Sequence, residues 1–189
     1  MQPDKTTGAA FIRVSGFVNE SIVDGPGIRM VIFAQGCERR CPGCHNPETH
    51  DPGGGRLVSA GEIMAVAKKN PLLRGLTFSG GEPFLQAAAF SRLARMAHDA
   101  GLDVMTYTGY TIEEILEHGK IGDSVAVACD IGARDSGAPS DADGFLDLLY
   151  QTDILVDGPF IQELRTLDAP YKGSSNQRVI DVAATLAGL

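Results

Sequence analysis

Apolar residues along this 189-residue chain fall in short runs divided by glycine- and proline-bearing turns. The first run, Ala10 to Val18, carries Phe11, Ile12, Val14, Phe17 and Val18 and reads as a strand. Asp24, Gly25, Pro26 and Gly27 then make a turn by composition, proline fixing one φ and the glycines permitting positive φ or close approach. Met30 to Ala34 is a continuous apolar run, as a strand buried on both faces requires. After the breaker cluster at 51–55, Ser59 and Glu62 stand at capping-box spacing ahead of Ile63, Met64, Val66 and Ala67, and Asn70 with Pro71 ends that helix. Leu76 to Phe78 predicts a strand, and Phe84 to Ala100 a helix with Leu85, Ala89, Leu93 and Met96 on one stripe and Gly101 past its end. Leu102 to Thr106 predicts the next strand, and Thr111 with Glu114 opens a second capping box before a helix to about His118. Between 119 and 143 Gly, Asp, Ser and Ala dominate; Val125 to Ala128 is a strand candidate there, followed by a short helix over Phe145 to Tyr150. Ile154 to Val156 reads as a strand, and Arg178 to Val182 as extended or helical. Residues 1–9 are expected to be a disordered tail, leaving one domain over 10–189.

This alternation predicts an α/β fold with parallel strands inside and helices outside, a class that carries its sites at the carboxyl ends of the strands. Glycine-rich words occupy those ends. Eight strand-helix units typically take ~250 residues, so the shorter chain predicts an open, partial (β/α) barrel rather than a closed one.

Composition narrows the function. A content of 43% hydrophobic residues suits one globular core, and 16 basic against 24 acidic residues give a net charge of −8, which argues against a nucleic-acid surface. No apolar run approaches the roughly 20 residues of a membrane span, and the first seven residues are polar, so the expected location is cytoplasmic, with no membrane partner. Three of the four cysteines lie within eight residues, which is metal-site rather than disulfide spacing.

Those three, Cys37, Cys41 and Cys44, are spaced C-x3-C-x2-C on a loop that the Val31 to Phe33 run leads into. Three thiolates on a cubane [4Fe-4S] cluster leave one iron open to a small molecule, whereas a structural zinc site closes with four protein ligands. A zinc reading would draw its fourth ligand from His45, His50 or Cys129; Cys129 also suits a small buried hydrophobe. Ser79, Gly80, Gly81 and Glu82 follow a predicted strand. They describe either a tight turn with an acid in the first helical turn, or a flat backbone edge and a carboxylate offered to an amino-acid ligand. Arg29, Arg39 and Arg40 form a small positive group, either solvated surface or a dock for an acidic electron donor or partner.

The cysteine spacing, together with Ser21 to Arg29, Thr77 to Pro83, Tyr107 to Thr111, Val156 to Phe160 and Gly173 to Arg178, resembles the radical S-adenosylmethionine (SAM) family. Within it the chain is most similar to the activating proteins of anaerobic ribonucleoside-triphosphate reductase, and the matching words run from about Ile12 to Asp181. The resemblance implies a partial barrel of the radical SAM type and a [4Fe-4S] cluster on Cys37, Cys41 and Cys44. It implies SAM held at Gly43, Cys44, His45, Ser79, Gly80, Gly81, Glu82 and Thr108, with Asn46 a further adenine neighbour. It also implies that SAM is reductively cleaved and that a hydrogen is taken from a glycine of the reductase, with reduced flavodoxin or ferredoxin as electron donor. Activation of a formate-lyase type of partner is the alternative within the family, and a non-enzymatic metal-binding module the alternative outside it. An aromatic residue often precedes the third cysteine in this family, and here that position is Gly43. Asp24, Thr108 and Asp157 lie at strand ends or turns where formate-lyase relatives place polar ligands, including a cation site, but Tyr107 stands where those relatives tend to carry Asp, so the resemblance leaves a cation beside SAM open. Asp157, Asn176 and Arg178 are candidates for docking the glycine-bearing peptide, since amide and guanidinium donors suit a backbone; Arg178 could instead pair with Asp157 or Asp181.

Overall fold

A computed structural model describes residues 10–119 and 142–188. The expected tail at 1–9, the strand candidate at Val125 to Ala128 and Cys129 lie outside the described residues. Seven strands form one open sheet in the order β3-β1-β2-β4-β5-β6-β7. They are β1 (Phe11–Ser21), β2 (Ile28–Ala34), β3 (Arg56–Ser59), β4 (Leu73–Gly80), β5 (Asp103–Tyr107), β6 (Ile154–Asp157) and β7 (Arg178–Asp181). The central four, β2, β4, β5 and β6, are parallel, and β1, β3 and β7 pair antiparallel at the flanks. The α/β class is thus as the alternation predicts, and the sheet does not close on itself.

Five helices accompany the sheet among the described residues: α1 (Ala60–Ala67), α2 (Ala87–His98), α3 (112–119), α4 (Ala142–Tyr150) and α5 (Val182–Leu186). Both capping boxes form. Ser59 and Glu62 exchange side-chain-to-backbone bonds at the start of α1, and Thr111 and Glu114 do so ahead of α3. The helix expected from Phe84 starts later, because Pro83–Gln86 is a 3-10 turn whose amide at Phe84 is capped by the Glu82 side chain. A 3-10 turn advances only three residues per turn, so the α-helix that follows is rotated from the expected phase. Its buried stripe is Phe90, Leu93, Ala94 and Ala97, while Met96 stands 37% exposed. The 178–182 stretch divides at Asp181, whose side chain accepts from the Ala184 amide and caps α5. β3 escaped the sequence reading: its four residues are half or fully exposed, so no apolar alternation marks it.

Side chains alternate across a strand, and the two faces of the parallel core have different company. Met30, Ile32, Ala34, Leu76, Phe78, Val104 and Leu155 join the helix-side core with Ile63, Phe84, Phe90, Leu93 and Leu148. Arg29, Val31, Phe33, Thr77, Ser79, Met105 and Tyr107 take the other face. The β1–β2 loop folds into the foot of that second face. There Thr77 donates to the Asp24 carbonyl at 2.8 Å and Arg29 Nη1 to the Pro26 carbonyl at 3.2 Å. Arg29 is fully buried, pairs with Asp103 at 2.5 Å and also donates to Thr77 and to the Leu76 carbonyl. This corrects the grouping of Arg29 with Arg39 and Arg40, since a residue on β2 five places before the last strand position lies at the opposite end of the strand from the cysteine loop.

Candidate iron-sulfur and nucleoside site

The carboxyl ends of β2, β4, β5 and β6 open on a cavity of about 840 Å³. That lies within the ordinary range of cofactor sites, ≈300–1,000 Å³. The loop from β2 supplies its metal-binding wall. Gly36, at φ 100, turns the chain out of the strand, and the loop returns so that Gly36 N donates to Thr49 O (2.7 Å) and Cys37 N to His50 O (3.3 Å). The buried Gln35 amide donates to the Glu48 and Asp51 carbonyls at 3.1 and 2.6 Å, which cross-ties the loop base. Cys37, Cys41 and Cys44 are half-buried free thiols, and all three line the cavity. Burial pushes the Cys37 thiol up, and the nearby backbone of Arg39 and Arg40 offsets part of that rise; the Asn46 amide reaches Cys44 Sγ at 3.4 Å.

Among the described residues no three Cys, His, Asp or Glu side chains converge as one ion requires. A cubane is different, because each thiolate takes a separate iron and the sulfurs stand apart across the cluster. Three thiols around one roomy cavity therefore fit a cluster better than a zinc ion. His45 packs against Phe160 with ring centroids 5.0 Å apart and planes tilted by 48°, and so serves the cavity wall.

The second wall is the end of β4. Gly81 N donates to Ala34 O and Glu82 N to Gly36 O, at 2.9 and 2.8 Å, so the glycine edge runs alongside the base of the cysteine loop. A Cβ on Gly81 would run into Gly36 O, and one on Gly80, at φ 88, would lie 2.7 Å from Phe33 Cα. The glycines therefore have a structural task, close backbone approach, in addition to any ligand. Glu82 is buried, and its carboxylate accepts from Phe84 N (3.1 Å), Thr108 Oγ1 (2.8 Å) and Gly109 N (2.8 Å). Burial raises its pKa, and those three donors pull in the opposite direction. Of the roughly four lone-pair positions of a carboxylate, one is left for a ligand.

The third wall comes from the segment between β6 and β7, where Phe160, Leu167, Tyr171, Lys172 and Gln177 line the cavity. Of the residues expected at the nucleoside, Cys44, His45, Asn46, Ser79, Gly80, Gly81, Glu82 and Thr108 all line it. Gly43 does not: at φ 69 it faces the Gln162 side chain, whose Cδ would sit 2.9 Å from an added Cβ. Asp157, Asn176 and Arg178 stand beside the cavity rather than in its lining. Arg178 makes paired bonds to Glu113 (2.7 and 3.0 Å) and to the buried Asp157, whose Oδ2 also accepts from Ile112 N at 2.9 Å. Four of the five guanidinium N–H groups are thus spent inside the chain. The Asn176 amide donates to Pro159 O at 2.8 Å.

Sequence reasoning missed Phe33, Tyr107, Tyr171 and Lys172 as wall residues. Phe33 shared an apolar run with its neighbours, and only strand parity separates it from them. Glu113 was likewise missed as a partner of Arg178, a pairing across 65 positions that no local pattern announces.

An open sheet with a parallel core that presents three thiols and a glycine edge to one cavity defines an iron-sulfur protein with a site for a small molecule beside its cluster. Residues 23–180 match the family described as the 4Fe-4S single cluster domain. The anaerobic ribonucleoside-triphosphate reductase-activating protein of Vibrio cholerae is 30% identical, over 82% of this chain and 89% of that one. Its counterpart from Enterobacteria phage T4 is 27% identical over 83% and 86%. The pyruvate formate-lyase-activating enzyme of Clostridium pasteurianum is 36% identical over 56% of this chain, and the match spans about half (48%) of that enzyme. The chain belongs to the 4Fe-4S single cluster family, among activating enzymes of the radical SAM type. Its cofactors are a [4Fe-4S] cluster and S-adenosylmethionine.

Proposed function

We propose that this protein installs a glycyl radical on the anaerobic ribonucleoside-triphosphate reductase. The observation that carries the reading is the placement of Cys37, Cys41, Cys44 and the Gly80–Gly81 edge around one cavity at the strand ends. The choice of reductase rests on extent, since similarity to the reductase-activating proteins spans most of both chains. The higher local identity to formate-lyase-activating enzymes supports a second reading, a partner of that type. The finer architecture is an open partial barrel of the radical SAM type, forming one domain over 10–189, and four parallel strands with a cavity at their carboxyl ends support it.

When bound, the cluster and SAM supply one-electron cleavage of a sulfonium and a carbon radical able to take a hydrogen from glycine. The residues of the chain hold and shield. Cys37, Cys41 and Cys44 are the three ligands, and the Asn46 amide donates to Cys44 Sγ at 3.4 Å. Ser79 to Gly81 offer backbone and hydroxyl groups to the amino-acid end of SAM, and Glu82, fixed by Thr108 and Gly109, offers its remaining lone pair to the ammonium. His45, Phe160 and Tyr171 wall the cavity against water, which keeps a reactive intermediate from side reactions. Reduced flavodoxin or ferredoxin is the proposed electron donor, and the cytoplasm the proposed compartment; no helix among the described residues is long and apolar enough to cross a membrane.

The test is anaerobic. Reconstituted protein should hold about four irons per chain, cleave SAM under reduction and generate the glycyl-radical doublet in electron paramagnetic resonance on the reductase. A doublet on a formate-lyase partner only would move the reading to the second partner, and a colourless protein that leaves SAM intact would end both.

A further inference from the structure

The arc between the first two cysteines has a geometry that cluster ligation alone does not call for. Arg40 sits at φ 44, one of two described non-glycine residues with positive φ. Such a conformation persists only where the surrounding structure holds it, and the residue before it, Arg39, is anchored away from the loop. The Arg39 guanidinium lies 4.5 Å from the centroid of the Tyr110 ring. Its Nη2 pairs with Glu114 at 3.2 Å. Its stem crosses Gly109 so closely that a Cβ there would lie 2.6 Å from Arg39 Nε. Arg39 Nε itself is buried without a hydrogen-bond partner among the described residues, and the residue lines the cavity with the three thiols. Glu114 holds two tasks through one oxygen, since Oε2 accepts from the Thr111 amide as well as from Arg39. Arg39 thus ties the cysteine loop to the very turn, Thr108 to Tyr110, that fixes Glu82.

We propose that Arg39 is a positioning residue that latches the Cys37–Cys41 arc onto the β5–α3 turn and, as a fixed positive charge beside the cluster, sets its reduction potential. Reduction adds a negative charge to the cluster, so a nearby cation favours the reduced form; net charge and hydrogen bonds to sulfur are the protein's levers on this potential. The latch holds the arc that carries Cys37 and Cys41 against the turn through the Tyr110 and Glu114 contacts, and so fixes where the guanidinium stands relative to the thiols. Glu114 opposes the effect by partly neutralising the guanidinium, so the pair acts as a set point rather than a single charge.

The inference rests on the cluster reading above, and its test reads the cluster directly, without partner enzyme. Midpoint potentials are to be measured on anaerobically reconstituted protein by titration followed with electron paramagnetic resonance. Arg39→Met keeps the apolar stem and removes the charge, and it should shift the reduction equilibrium about tenfold towards the oxidised cluster, which is about 59 mV for one electron. Glu114→Gln keeps an acceptor for the Thr111 amide and frees the cation, and it should shift the potential the opposite way. Arg39→Lys should retain most of the wild-type potential but lose iron faster to a chelator, because an ammonium lacks the planar fork that stacks and pairs. Opposite signs for Arg39→Met and Glu114→Gln cannot come from general loosening of the loop. Unmoved potentials in both, or shifts of the same sign, would overturn the proposal while leaving the cluster reading intact; a wild-type chain that takes up no four-iron cluster would overturn both.

Discussion

The two ends of the sheet's open face use polar residues in opposite ways. At the foot, Arg29 is fully buried and its guanidinium is shared among Asp103, Thr77, Leu76 O and Pro26 O. At the carboxyl ends, the three thiols and the Ser79 to Gly81 edge face a cavity, held there by neighbours but not consumed by them. A buried charge whose donors are all engaged within the chain is architecture, and it pins the β1–β2 loop beneath the cavity. Groups that are positioned yet left facing space are the ones available for chemistry. Arg178 shows the same rule at the rim, where Glu113 and Asp157 take the donors that would otherwise reach a peptide.

If that contrast holds, damage at the foot should cost stability and damage at the open end should cost cofactor. The largest loss is expected for Arg29→Met, which removes the donors to Thr77, Leu76 O and Pro26 O that hold the β1–β2 loop, although Asp103 keeps Arg74 at 3.0 Å. Each buried acceptor left without its donor costs about 1–3 kcal/mol, and Arg29 serves several, so denaturant titration should show a midpoint far below wild type; a midpoint near wild type would deny the foot its structural role. Gly81→Ala lies at the junction of the two regions. The added methyl meets Gly36 O and should cost about 1–3 kcal/mol as overpacking, with cluster retention falling too, measured by melting and by iron content. Unchanged melting with weaker SAM binding alone would make Gly81 a ligand residue rather than a junction.

Smaller still is the pH-dependent share of the Arg178 clasp. The Arg178 guanidinium holds the Glu113 carboxyl down at about 2 against an ordinary 4.5. A carboxylate with a depressed folded pKa stabilises fully above its unfolded value and loses that contribution as pH falls through the folded one. The window is therefore from about 4.5 down to about 2, and Glu113→Gln should flatten the stability curve there. Because Glu113 is 65% exposed, solvent screening limits the effect to under about 1 kcal/mol. The smallest stability change belongs to Cys41→Ala in the metal-free chain, within about 0.5 kcal/mol for a half-buried loop side chain. Its cluster should nevertheless be lost, as iron analysis after reconstitution would reveal. A metal-free variant several kcal/mol less stable than wild type would place that thiol in the architecture instead.

Local words in the sequence were sufficient for a large part of this. The C-x3-C-x2-C spacing, both capping boxes, the continuous Val31 to Phe33 run and the strand-glycine-helix word at 76–90 act over a few residues, through hydrogen bonds and φ preferences that neighbours alone can satisfy. They determined the α/β alternation, the thiol set and the glycine edge. Tertiary structure alone decided what depends on distant partners: which of three arginines is buried, that Arg178 meets Glu113, that Phe33 rather than Ile32 faces the cavity, and that Gly43 faces Gln162 instead of the cavity. It also shifted the α2 stripe, because a 3-10 turn capped by Glu82 changes the phase of everything after it. The physical reason is range: spacing and turn chemistry are read within a few residues, whereas burial, charge pairing and the choice of sheet face are fixed only when elements some 45 to 75 positions apart come together.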